Sequence, residues 1–221
     1  MKKISLNILI LISSILTSTG LFAESSVPVI FVHGRNAGPG VWGPMISSLK
    51  AQGFIDSRLY TWDYDTSQST NEVLASQFGS YVSNVLRQTR SSQVDIVAHS
   101  LGSLPTRWYI EFGGGEKTVR NWISLAGPNH GTKIAFFCAL WDQGCRDMTP
   151  NSYVLRNLNR DFNNQPVRYW TFWSRCDEQI IPQKSTILEG ANNNQVGCLK
   201  HNDQLSDPTI SSRVGAILSR P

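Results

Sequence analysis

Apolar positions follow two alternating rhythms along this chain. Short, nearly continuous apolar runs bounded by glycine or polar turns read as buried strands. They are "VPVIFVHG" (27–34), "DSRLYTWDY" (56–64), "VDIVAHS" (94–100), "VRNWISLAG" (119–127) and "VRYWTFWS" (167–174), with a final short strand expected near 195–199. Helical spacing lies between them. It predicts helices over 42–53, which stops at Gly53, and over 69–90, with Val73, Leu74, Phe78, Tyr81, Val82, Val85 and Leu86 as its stripe. Further helices are expected over 101–112, where Pro105 falls in the tolerant first turn, over 151–159, and over a closing "TISSRVGAILSR" (209–220). Residues 127–150 follow neither rhythm. Strand–helix alternation of this kind implies a mostly parallel sheet covered by helices on both faces, with ligands at the carboxyl ends of the strands.

Length and composition narrow this to one globular domain: 221 residues, 40% hydrophobic and 16% charged. The first residues are a separate case. Lys2 and Lys3 precede an apolar run, and the chain then turns small and polar through "TSTGLFAES". That is the pattern of a secretory signal peptide over 1–23, cut after Ala23, leaving 24–221 as the domain. An uncleaved anchor is the alternative, although the run is shorter than the roughly 20 residues of a spanning helix. Cleavage would lower the formal charge from +4 to +2, because it removes two lysines and no acid. No basic cluster interleaved with aromatics points to nucleic acid. The four cysteines, Cys138, Cys145, Cys176 and Cys198, suit an exported protein with two disulfides. The pairs Cys138–Cys145 and Cys176–Cys198 each close a short loop. A zinc site is the weaker alternative, since neither CxxC nor HxxxH spacing occurs.

The candidate chemistry centres on "VDIVAHSLGS" (94–103). Ser100 follows a strand and precedes a helix inside A-H-S-L-G, a nucleophile-elbow pattern with Ala98 in the first small position. So tight a turn requires small flanking residues. It lifts the serine to the sheet's end, where the helix N-terminus favours developing negative charge. The hydroxyl needs a base. His33 lies in the loop after the first strand and is read as holding that loop. His99 adjoins Ser100 and points away from it, and His130 comes too early in the chain order Ser, acid, His. His201 remains. The acid must fall between the two at a strand end. Asp177 fits best, with Glu178 as main rival and Asp147 behind it; Asp142 lies in the irregular stretch and Asp161 after a helix. A Cys176–Cys198 bridge would tether the residue before Asp177 to a segment three residues before His201. Oxyanion donors are expected from the backbone N–H groups of Leu101 and of Arg35 in "HGRN". In 127–150, Phe136, Phe137, Leu140 and Trp141 read either as an acyl-site wall or small flap, or as core under a loop.

"FVHGRNAGPGVWGPMISSL", "VDIVAHSLGS", "LAGPNHGT" and "CDEQIIP" with "HNDQLSDP" together resemble the secreted bacterial lipases of the small α/β-hydrolase group, lipase class 2. The A-H-S-x-G elbow is similar to that of the small lidless lipases of bacilli. The resemblance runs over most of 27–213. It implies a single α/β-hydrolase domain with Ser100 as nucleophile, Asp177 as acid, His201 as base, and Arg35 and Leu101 as oxyanion donors. It implies a secreted or periplasmic carboxylic-ester hydrolase, most of all a triacylglycerol lipase, that meets a lipid or other ester and touches lipid–water interfaces transiently. Cofactor, metal and nucleic acid play no part in it. The cysteines and the longer 127–150 segment depart from the bacillar pattern. Short-chain esterase, polyester depolymerase, phospholipase, acyltransferase and peptidase share the triad; an inactive scaffold binding lipid or protein is the remote alternative.

Overall fold

A computed structural model describes residues 27–160 and 166–220. The expected signal peptide and Asp161 therefore lie outside the described residues. Six strands, β1 Val29–Val32, β2 Leu59–Trp62, β3 Val94–His99, β4 Val119–Leu125, β5 Arg168–Ser174 and β6 Asn192–Val196, form one sheet in the order β2-β1-β3-β4-β5-β6. Every pairing is parallel, with Val32 beside Ala98 and Ala98 beside Ser124.

The continuous apolar runs follow from this arrangement. Strand residues alternate between two faces, and both faces are covered. Ile30, Val32, Ile96, Ala98 and Trp122 join one core with α2 (Asn71–Thr89) and α3 (Ser103–Phe112). Val29, Phe31, Val97, Ile123 and Leu125 join the other with α1 (Gly43–Ala51) and α6 (Pro208–Leu218). On α2 the buried stripe is Leu74, Phe78, Val82 and Val85. Val73, expected in the stripe, is 47% exposed, because one residue turns it about 100° off that face.

The expected last strand near 195–199 is instead 192–196, "NNNQV". It is an edge strand that the apolar rhythm cannot reveal. Its asparagines bond to the neighbouring backbone and hydroxyls: Asn194 donates to the Thr171 carbonyl (3.2 Å), and Thr171 donates to Asn193 Oδ1 (2.7 Å).

Residues 127–150, which show no rhythm in the sequence, contain two short helical pieces. A 3₁₀ turn (Lys133–Phe137), α4 (Gln143–Met148) and α5 (Tyr153–Arg160) bury Ala135, Cys145, Met148, Val154, Leu155 and Leu158 against Leu101 and Leu104. This third core lies beside Ser100, at the start of α3. Because β1 has β2 on one side and β3 on the other, the chain changes direction between the loops that follow β1 and β3. A crevice opens there at the strands' carboxyl ends.

Candidate active site

Ser100 directly follows β3 with φ +52°, a left-handed conformation that costs a non-glycine residue about 1–3 kcal/mol. The surroundings over-determine it. A Cβ on Gly102 would come 2.5 Å from the His33 carbonyl oxygen and 2.9 Å from that of Val32, so the start of α3 touches the end of β1 backbone to backbone. A Cβ on Gly34 would come 2.8 Å from Ser100 Cβ, so the loop after β1 presses directly on the serine. Ala98, the altered small position, is fully buried in the sheet.

The β1 loop is held from several sides. His33 is fully buried, with Nδ1 2.9 Å from the Gly34 carbonyl and Nε2 3.2 Å from Asp63 Oδ1. Tyr64 stacks on its ring and donates to its carbonyl at 2.8 Å. Asn36 N–H donates to Thr66 Oγ1 (3.1 Å) and Ala37 N–H to the Gly34 carbonyl (3.3 Å). Neither bond uses the Arg35 amide.

His201 and Asp177 meet on the other side. His201 Nδ1 lies 2.9 Å from Asp177 Oδ2 and 3.1 Å from Oδ1, with both residues 2% exposed. Asp177 Oδ1 also accepts the backbone N–H groups of Gln179 and Ile180, each at 2.9 Å, and Oδ2 accepts Gln204 Nε2 at 3.3 Å. Glu178 turns the other way and accepts the His201 backbone N–H at 3.1 Å. Asp147 sits elsewhere, accepting Asn71 N–H and Gln143 Nε2, and burial pushes its pKa up to about 6. Asp142 is on the segment beyond Cys138, paired with Arg35. His130 is exposed, with Nδ1 3.3 Å from the Ser185 carbonyl.

The Cys176–Cys198 bond joins the segments that carry Asp177 and His201 with a Cα–Cα distance of 4.9 Å. Ser174 Oγ adds a second fastening: it donates to the Gly197 carbonyl (2.9 Å) and accepts the N–H groups of Cys176 and Leu199. His99 packs its ring 4.7 Å from that of His201, and burial holds its pKa well below the ordinary histidine value, so it stays neutral. A neutral ring leaves a neighbouring imidazolium unopposed.

Ser100, His201 and the Gly34–Ala37 loop line one cavity of about 350 Å³, walled by Val41, Ile134, Ala135, Met148, Ile180 and Leu205. Phe136, Phe137, Leu140 and Trp141 neither wall it nor fill a core; they are 60%, 78%, 89% and 65% exposed. Ala135 and Cys138, three residues apart around the 3₁₀ turn, both line the cavity, while Phe136 and Phe137 are turned out to solvent. The Cys138–Cys145 bond closes this segment.

Several contributors escaped the sequence reading. Gln204 is three residues after His201 in a 3₁₀ turn, so both face Asp177; that spacing was readable once the turn was known. Thr132 Oγ1 donates to the Gln179 carbonyl (2.6 Å) and accepts Ile181 N–H (2.9 Å), fastening the irregular segment to the loop that carries Asp177. Nothing local in the sequence marks that contact. Among the described residues no three His, Cys, Asp or Glu side chains converge as metal ligands, and no helix is long and apolar enough to cross a membrane.

Known proteins share this architecture. Mature Bacillus licheniformis lipase BlEst2 superposes with a TM-score of 0.73 at 14% identity, over 88% of this chain and 92% of that one. Its propeptide form gives 0.74 at 15% identity, over 89% and 51%. Aspergillus fumigatus lipase B gives 0.74 at 20% identity, over 92% and 55%, so the chain spans about half the length of these last two. At such identities the likeness is one of fold. The sequence itself matches the family described as lipase (class 2) over residues 26–210, and on that match this α/β-hydrolase belongs to the lipase (class 2) family.

Proposed function

We propose that the protein is an exported serine carboxylic-ester hydrolase, a triacylglycerol lipase, working through Ser100, His201 and Asp177. The observation that carries this reading is that a buried His–Asp pair and a strained elbow serine line or back the same apolar-walled cavity. His201 Nε2 takes the proton of Ser100 as Oγ attacks the ester carbonyl. Asp177 keeps the proton on Nδ1 and stabilises the imidazolium. The N–H groups of Arg35 and Leu101 receive the oxyanion; Leu101 lies in the first turn of a helical segment, where amides lack intrahelical partners. His201 then protonates the leaving alcohol. Water enters by the same steps and releases the acid.

A long-chain, water-insoluble ester is favoured by the exposed apolar side chains of Phe136, Phe137, Leu140 and Trp141 on the segment that borders the cavity. A patch of that kind marks an interaction surface. Two disulfides support export. The test compares p-nitrophenyl butyrate, p-nitrophenyl palmitate and emulsified triolein, beside Ser100→Ala. Loss of all turnover in Ser100→Ala with an intact fold supports the nucleophile. Turnover of butyrate alone would move the reading to a short-chain esterase. A fluorophosphonate probe that fails to label Ser100 would favour an inactive scaffold.

A further inference from the structure

Arg35 has two parts with different surroundings. Its backbone belongs to the loop that lines the cavity. Its side chain is clasped by Asp142: Nε and Nη2 each lie 2.8 Å from Asp142 Oδ2. Asp142 is buried, 3% exposed, and its other oxygen, Oδ1, accepts the Cys145 N–H at 2.8 Å. One carboxylate thus joins the β1 loop to the start of α4.

That attachment point is itself fixed. Cys145 is bonded to Cys138. Gln143 N–H donates to the Ser67 carbonyl at 2.7 Å, and a Cβ on Gly144 would come 2.3 Å from the Thr66 carbonyl oxygen. Thr66 in turn accepts the Asn36 N–H. Two successive loop residues, Arg35 and Asn36, are therefore held by one assembly made of the disulfide-closed segment and the loop after β2. Asn36 has φ +54°, a left-handed bend that asparagine accommodates, and its N–H bond to Thr66 fixes that bend in place. Gly34 meanwhile rests against Ser100. The loop is clamped between the serine and the Asp142 mount, and the amide of Arg35 lies inside the clamp.

We infer that Asp142 is a positioning residue: through the Arg35 side chain it holds the Arg35 N–H at the point where the oxyanion forms, and the Cys138–Cys145 segment is the rigid mount for that contact. The inference rests on the ester-hydrolase reading above. A buried, charge-assisted contact is suited to the task, because it is stronger and better directed than a neutral one. Its loss lets the amide wander. An oxyanion donor acts on charge that exists only in the transition state, so wandering lowers kcat and leaves KM nearly unchanged. Removing such a donor outright lowers kcat by about a hundredfold to a thousandfold, so displacing one should cost about tenfold to a hundredfold.

The experiment is a double-mutant cycle on the mature enzyme with p-nitrophenyl butyrate, using Arg35→Met, Asp142→Asn and the double variant, with Ser100→Ala as reference. Arg35→Met spares the Asp142 cap on Cys145, so it stays informative if Asp142→Asn unfolds. Arg35→Lys keeps a charge for Asp142 and should recover part of the lost rate. The expected result is a fall in kcat of about tenfold to a hundredfold in each single variant, KM within about twofold, and no further fall in the double. Affinity for an alkylboronic acid, whose adduct with Ser100 carries the same oxyanion, should fall by a similar factor. Three results would overturn the inference: kcat of Arg35→Met within about twofold of the parent, a raised KM at constant kcat, or losses that multiply in the double variant. Full activity in Ser100→Ala would instead remove Ser100 as the nucleophile, and absence of turnover in the folded parent would sink the ester-hydrolase reading itself.

Discussion

Asp177→Asn isolates the role proposed for the acid. Asp177 Oδ1 accepts two backbone N–H groups at 2.9 Å, from Gln179 and Ile180. An asparagine must keep its carbonyl oxygen there, since an NH₂ group facing two buried N–H donors would leave each unsatisfied, at about 1–3 kcal/mol apiece. The amide nitrogen then takes the place of Oδ2, 2.9 Å from His201 Nδ1. Oδ1, 3.1 Å from Nδ1, is already taken by two N–H donors, and two donors cannot face each other at the shorter contact, so the imidazole carries its proton on Nε2. That tautomer cannot accept the proton of Ser100. Such a block lowers kcat about 10⁴-fold in a triad enzyme, equivalent to about 5.4 kcal/mol at 1.36 kcal/mol per decade. The fold should survive: Gln204 Oε1 is buried without a partner and can turn to accept the new NH₂ group. The assay is kcat on p-nitrophenyl butyrate with thermal unfolding in parallel. Glu178→Gln is the control. It keeps an acceptor for the His201 N–H, so its kcat should stay within about threefold. A kcat for Asp177→Asn within tenfold of the parent, with the melting temperature unchanged, would refute the reasoning. The reverse pattern would make Glu178 the acid.

Three further predictions concern the frame. Gly102→Ala drives a methyl into the carbonyl oxygens of His33 and Val32, so urea unfolding should show a loss of at least about 1–3 kcal/mol together with reduced activity; a change under 0.5 kcal/mol would mean that α3 can simply slide. Asp147 carries a folded-state pKa raised to about 6 from 3.8, so the folded protein binds the extra proton between those values, and its stability contribution is present below about 3.8 and lost as pH rises through 6. Asp147→Asn should therefore gain on the parent between pH 4 and pH 8, by about 1–2 kcal/mol after discounting for partial solvation; a pH-independent difference in melting curves would contradict this. Loop-closure entropy gives about 2.4 kcal/mol for Cys138–Cys145 and about 3.4 kcal/mol for Cys176–Cys198, from separations of 7 and 22 residues. Paired Cys→Ser variants should rank in that order in denaturant midpoint, and the reverse order would show that native contacts rather than chain entropy decide.

The sequence by itself determined the parallel sheet and the elbow. Both are written in local patterns. A strand covered on two faces must be apolar at every position, as in Val29–Val32, and a serine in a left-handed turn between strand and helix needs small neighbours, as at Ala98 and Gly102. Cysteine spacing also pointed to the two pairs that the fold contains. Other features exist only in three dimensions. The polar edge strand 192–196 has no apolar face to reveal it and is held by asparagine side chains. Asp177 and Glu178 are adjacent carboxylates of nearly equal chemistry. Only the turn after β5 aims one at the imidazole of His201 and the other at its backbone. The clasp between Arg35 and Asp142 spans 107 residues, and no local pattern encodes a contact of that range. Local sterics and hydrophobic periodicity act between near neighbours and can be read along the chain. The aim of a side chain depends on the whole packed core around it, and only the tertiary structure decides that.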